Sequence, residues 1–196
     1  RALTARRQRS LATGSMAISW SVLNPHMNRV LFNFAEAAVA ASWQPINDAV
    51  MGGVSVSSLR FDPAGHAVFE GSVSFERNGG FASVRCLPQA FAIERAAGLQ
   101  IEALGDGKAY KLNLRTDDGF DGVNYQARFR PAAGAWDSCR LAVADFQPTW
   151  RGRPVPDAPP LALARLRQIG LMIADRQAGP FRLAVRSIRA IPAEVP

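Results

Sequence analysis

Four arginines carry the strongest recognition chemistry in this chain of 196 residues: Arg85, Arg115, Arg151 and Arg153. A guanidinium fork matches a carboxylate or phosphate with two parallel hydrogen bonds, so four forks converging would make an anion site. The competing reading gives each arginine to an acid of the chain itself, with Asp106, Asp145 and Asp175 as partners. Tryptophan offers a second chemistry. Trp43, Trp136 and Trp150 could stack on a sugar ring, and Trp150 beside Arg151 in a proline-rich stretch is the one expected at the surface. Aromatic-plus-arginine pairs of that kind dominate many interfaces. Trp43 and Trp136 also suit the core or a sheet edge.

A third group lies in one stretch, W-Q-P-I-N-D-A-V-M-G-G-V-S-V-S-S at 43–58. Asn47, Asp48, Met51, Gly52, Gly53 and Ser55 could present amides and hydroxyls to a peptide or a sugar. The same residue types commonly close turns on themselves, because Asx side chains bond nearby backbone and glycine takes left-handed angles. Adjacent glycines also exclude a helix. Asn47, Asp48 and Gly52-Gly53 therefore read as architecture. The expected binding surface is where this loop meets Asn78–Arg85 and Trp150–Arg153.

Catalysis finds little support. No G-x-S-x-G elbow occurs, and His66, the only histidine beyond the first 28 residues, falls on or next to a turn, which argues against a Ser-His-Asp triad. The carboxylate pair Asp117-Asp118 sits in a turn, where solvation explains it. No glycine-rich loop joins a strand to a helix, so phosphate binding of the dinucleotide or P-loop type is unsupported. Cys86 and Cys139 are far apart and far from either histidine, which argues against zinc and for two reduced, buried thiols. The expectation is a protein without cofactor or metal, and not an enzyme.

The formal charge of +7 misleads. From Ala37 onward there are 18 basic and 15 acidic residues, a difference of +3. A nucleic-acid surface would need a basic stripe on the folded part, so nucleic acid is not an expected partner. No run approaches the ~20 apolar residues of a membrane-spanning helix. Residues 1–28 are rich in arginine and small residues and contain no acid. They read as a leader, an appended tag or a disordered tail, leaving 29–196 as a single domain.

The elements that position these groups are strands. Tyr110, Leu112 and Leu114 alternate with Lys111, Asn113 and Arg115; Val123, Tyr125, Ala127 and Phe129 alternate with Asn124, Gln126, Arg128 and Arg130. Period-2 patterning of this quality makes an antiparallel sheet with one polar face. Residues 169–174 are apolar on both faces, as a central strand requires, and 181–191 make a closing strand with Arg182, Arg186 and Arg189 outward. Short helices are expected within 35–42 and 161–167, and a brief helix or a loop within 90–97. Turn signals at 77–80, 105–107 and 117–122 separate about ten short strands. The fold class is all-β, a jelly-roll β-sandwich of antiparallel strands.

Five segments recur in one order: Trp43–Ser55, Asn78–Arg85 (N-G-G-F-A-S-V-R), Gly105–Leu112 (G-D-G-K-A-Y-K-L), Trp150–Arg153 (W-R-G-R) and Ile169–Phe181 (I-G-L-M-I-A-D-R-Q-A-G-P-F). Together they resemble the complex I intermediate-associated protein 30 family, over roughly Phe32 to Ile191. The resemblance implies a galactose-binding-domain-like sandwich. It also implies a chaperone-like assembly factor whose partners are subunits or assembly intermediates of respiratory NADH:ubiquinone oxidoreductase. The compact, arginine-biased chain is similar to a stand-alone bacterial member, which would be cytoplasmic; a eukaryotic one would work on the matrix side of mitochondria. A carbohydrate- or small-ligand-binding β-sandwich is the alternative.

Overall fold

The alternating strands pair into two antiparallel sheets whose apolar faces meet. In a computed structural model of the protein, residues 29–47 and 52–193 are described. The segment 1–28, together with Asp48 and Met51 of the candidate loop, lies outside the described residues. In chain order the elements are β1 (Val30–Asn33), α1 (Ala37–Ala41), β2 (Trp43–Pro45), β3 (Val56–Asp62), β4 (His66–Val73), β5 (Ala82–Cys86) and β6 (Ala96–Leu104). They continue as β7 (Tyr110–Arg115), β8 (Asn124–Phe129), β9 (Trp136–Ala142), β10 (Gln147–Trp150), β11 (Arg153–Pro154), β12 (Gln168–Ile173) and β13 (Gly179–Pro192).

The first sheet runs β3-β4-β13-β6-β9, and β1 also pairs with β13. The second runs β11-β10-β8-β7-β12-β5-β2. Between them Phe69, Tyr110 and Phe181 pack ring against ring, with Phe69 and Phe181 centroids 4.8 Å apart. A second aromatic cluster closes the core near β2, where Trp43 lies 5.0 Å from Phe32 and 5.6 Å from Phe34. Burying an aromatic or large aliphatic side chain contributes about 1.5–3 kcal/mol, so these clusters hold the sheets face to face.

The patterned strands lie where the alternation puts them, and the apolar 169–173 segment is indeed central, as β12 between β7 and β5. Three differences have physical causes. The stretch 43–45, expected as loop, is strand β2 at a sheet edge, because Trp43 has the core beneath it and β5 beside it. The proline-rich excursion contains the hairpin β10–β11. It sits at the sheet margin, where a missing proline N–H is tolerated. Of the two readings of 90–97 the loop holds as far as Arg95, before Ala96 opens β6, and the helix expected within 161–167 is a single 3₁₀ turn, Leu163–Arg165. The turn at 77–80 does not close a hairpin, since β4 and β5 belong to different sheets.

Both cysteines are free, Cys86 buried and Cys139 only half-buried. Cys86 Sγ accepts the backbone N–H of Ile169 at 3.2 Å, so the thiol continues the β5–β12 ladder by one step.

Two predictions follow from this packing. A Cβ on Gly98 would lie 2.1 Å from the Leu141 carbonyl oxygen of β9. Gly98→Ala should therefore destabilise the protein by about 3 kcal/mol in a urea melt, since main chain and not a flexible side chain must move. Burial, opposed by the Ile169 hydrogen bond, pushes the Cys86 thiol from 9.0 up to about 11. A folded-state pKa raised in this way gives stability that is complete below pH 9 and lost as pH rises towards 11. Between pH 8 and 10.5 Cys86 alone should cost about 2 kcal/mol. Cys86→Ala should remove that share of the alkaline slope, leaving the shares of Cys139 and Tyr110, which burial also raises.

Candidate functional site: a cleft on the outer face of the second sheet

Register across the second sheet fixes what its outer face displays. Pairing places Gln44, Arg85, Gly170, Asn113, Gln126 and Gln147 in one line across β2, β5, β12, β7, β8 and β10. The adjacent line reads Ser83, Met172, Lys111 and Arg128. On the other side of the first line stand Gln168 and Arg115. Neighbouring strands are about 4.8 Å apart, so Gly170 leaves a gap of about 9–10 Å between the side chains of Arg85 and Asn113. This face lines a cleft of about 520 Å³.

One wall is the loop 116–122, and a buried guanidinium builds it. Arg115 is 2% exposed. Its Nη2 donates to Asp117 Oδ1 at 2.7 Å and to the Asp121 carbonyl at 2.9 Å; its Nη1 donates to the carbonyls of Phe120 and Gly122. Gln168 Nε2 holds the same loop through the carbonyls of Asp117 and Gly119. Glycine is required at Gly122, whose φ is +143° and whose added Cβ would lie 2.8 Å from Arg115 Nη2. The loop then presents Phe120, which is 63% exposed, and the Asp121 carboxylate. Asp121 takes Trp150 Nε1 at 3.0 Å and Arg151 Nη2 at 2.6 Å, which joins the loop to the β10–β11 hairpin. These bonds, Arg151 first, hold the Asp121 carboxyl below its ordinary range.

The charges of the cleft do not cancel. Arg115 is paired with Asp117, Arg151 with Asp121 and Lys111 with Asp175. Arg85 has no carboxylate partner among the described residues. Its Nη2 donates to the Phe120 carbonyl at 3.1 Å, and its guanidinium lies 5.5 Å from the Phe120 ring centroid. Burial, then the charge of Arg115, pull Arg85 below the ordinary arginine range. The amides of the floor are also poorly used. Asn113 Nδ2 and Gln126 Nε2 both donate to Met172 Sδ, each at 3.8 Å, and a thioether is a weak acceptor. Asn113 is 7% exposed and its Oδ1 has no partner.

Of the residues singled out in the sequence, Arg85, Arg115 and Arg151 come together at the cleft. Arg153 is exposed on β11. Arg115 and Arg151 do meet acids, but these are Asp117 and Asp121 where Asp106, Asp145 and Asp175 were expected, and Asp175 pairs with Lys111. Asp106 instead accepts Tyr110 Oη and the Arg182 backbone N–H, and Asp145 accepts the Ala142 N–H. Trp150 is 46% exposed at the cleft rim, with the Arg151 guanidinium 5.0 Å from its ring centroid. Trp43 is in the core, away from any surface. Asn47 ties three strands' ends together: its Oδ1 accepts Ser57 Oγ at 2.6 Å and the Ser83 N–H at 3.1 Å, while Ser83 Oγ donates to the Ile46 carbonyl. Ser55 Oγ accepts the Ser74 N–H, and Gly52 turns the chain at φ +88°. Gly53 follows it in the loop, and Asn78 ends the 3₁₀ turn Glu76–Asn78.

Lys111, Asn113, Gln126, Met172 and Gly170 were not singled out, and the signal for them was available. Two consecutive strands place long polar side chains on one face, and β12 adds Gln168, Gly170 and Met172 to it.

The scaffold and its sequence have clear relatives. The fold is similar to the family 11 carbohydrate-binding module of the Clostridium thermocellum cellulase Lic26A-Cel5E, with a TM-score of 0.64 at 14% identity over 85% of this chain and 95% of that one. An exo-beta-agarase contains a similar domain, with a TM-score of 0.54 at 13% identity over 86% of this chain and 26% of the other. At such identity these likenesses concern the galactose-binding-like sandwich alone. In sequence, an uncharacterized Schizosaccharomyces pombe protein is 29% identical over 187 residues, 85% of each chain. Complex I intermediate-associated protein 30, mitochondrial, of Drosophila melanogaster is 24% identical over 84% of this chain and 63% of its own length. The Neurospora crassa protein of the same name is 24% identical over 83% of this chain and 73% of its own. The model of the complex I intermediate-associated protein 30 family matches residues 32–185, and the chain belongs to that family.

Proposed function

We propose that this chain is a non-enzymatic binding module that serves as an assembly factor for respiratory complex I, holding a protein partner at the cleft over β5, β12, β7 and β8. Family membership across residues 32–185 is the observation that carries this reading. The site chemistry supports it. The cleft offers hydrogen-bond donors and a cation, in contrast to the nucleophile-and-base arrangement that acyl or glycosyl transfer requires. No helix among the described residues is long and apolar enough to cross a membrane. In this reading the module meets membrane-arm intermediates from one side. That side is the matrix if the host is eukaryotic and the cytoplasm if it is bacterial.

A second reading is a carbohydrate- or small-ligand-binding module. The size of the cleft and the exposed Trp150 at its rim favour it.

Deleting the gene in its host should lower fully assembled complex I on native gels and accumulate a smaller intermediate, and the full chain supplied in trans should restore the complex. Unchanged assembly after deletion would remove the assembly reading. A neutral glycan that raises the Tm of the full chain in a thermal-shift screen would favour the second.

A further inference from the structure

The floor of the cleft is poorly satisfied in its hydrogen bonding, with Asn113 Oδ1 buried and without a partner. Arg85, Asn113 and Gln126 lie on one line across the sheet and all present N–H donors. Two of them spend those donors on a thioether at 3.8 Å. The third is the one cation lining the cleft without a carboxylate partner among the described residues. Gly170 opens the floor between Arg85 and Asn113, so the donors surround a hollow in the sheet face. A ligand suited to this floor offers acceptors to these N–H groups, a donor such as a peptide N–H to Asn113 Oδ1, and one negative charge to Arg85.

The geometry points to an acidic peptide segment as the ligand: a glutamate or aspartate carboxylate seated over Gly170 against Arg85, with flanking main-chain carbonyls accepting from Asn113 and Gln126. This names the partner class of the cleft and rests on the protein-partner reading above. A neutral sugar fits less well. The two exposed aromatic rings at the rim, Phe120 and Trp150, each carry a guanidinium against the ring, from Arg85 and Arg151 respectively. Sugar stacking would have to use the opposite faces, and hydroxyl groups would leave Arg85 without a counter-charge. Met172 in the floor suits a peptide, since its flexible, polarisable side chain adapts to varied neighbours. The downward shift of Arg85 by its burial and by the charge of Arg115 fits as well, since a bound carboxylate offsets both.

The test titrates the full chain with a short capped peptide of alternating glutamate and glycine by calorimetry. The matching lysine peptide, an oligogalacturonate and a β-1,3-1,4-linked tetraglucose are run alongside. The glutamate peptide alone should bind, more weakly as salt is raised. Affinity should fall at least about tenfold in Arg85→Gln, as loss of a charge-assisted pair predicts, and in Gly170→Ala, and stay unchanged in Arg153→Ala. Thermal melts check that each variant folds, and Asn113→Ser replaces Gly170→Ala if the latter does not. Oligogalacturonate or tetraglucose binding as tightly as the peptide would overturn the proposal, as would glutamate binding that Arg85→Gln leaves intact or no peptide binding at millimolar concentration. The gel experiment separates this from the assembly reading. Peptide binding through Arg85 with complex I unchanged on deletion keeps the acidic-peptide site and sinks the assembly role. Loss of complex I with no peptide binding sinks the acidic-peptide site alone.

Discussion

A buried guanidinium organises the outer face of the second sheet. Removing a charge from water is costly, and Arg115 compensates with bonds to three backbone carbonyls and one carboxylate. Those acceptors belong to one short loop, so desolvating Arg115 and shaping 117–122 are a single event. Everything else at the cleft hangs on that loop: Phe120 receives Arg85, and Asp121 receives the hairpin that carries Trp150 and Arg151. Exposed ion pairs such as Arg151–Asp121 are worth little by themselves, ~0–1 kcal/mol. They orient groups on a wall that Arg115 has already fixed.

The same sheet therefore has two faces of unlike character. Inward, Leu112, Leu114, Tyr125, Ala127, Ile169 and Leu171 meet the first sheet and supply the stability. Outward, amides and cations stand in register over a glycine. Such a face would gain stability from apolar or mutually satisfied side chains, and here it keeps donors poorly matched. Sites that bind carry costs of this kind, which a purely structural face has no reason to retain.

Much of the sandwich was legible in the sequence because alternation is a local signal. β7 and β8 announce both their inner and outer sets within six residues each. The resemblance to the complex I intermediate-associated protein 30 family, carried by five ordered segments, was equally plain. The cleft was not. Its members come from strands as distant as β5 and β12, and register between distant strands is set by packing that no single segment encodes. The arginines could be named as a group, while their partners could not, since Asp117 and Asp121 reach them only after the loop folds over Arg115. For Trp43 the sequence left two readings, a sugar platform and the core, and the second holds. Its neighbours Asn47 and Gly52 suggested a surface loop, yet the indole completes an aromatic cluster with Phe32 and Phe34.

Strand β13 has a consequence for how the protein forms. It is the middle of the first sheet, with β4 and β1 along one edge and β6 along the other. Without it that sheet is three unconnected pieces: the β3–β4 hairpin, the β6–β9 pair and an orphan β1. Because β13 follows all of these pieces in chain order, none of them can be joined until it has been made. The second sheet, whose strands all precede β13, can be complete first. Folding of the sandwich is thus gated by one late, long-range event, and until it occurs the open edges of β4 and β6 need protection from pairing with other chains.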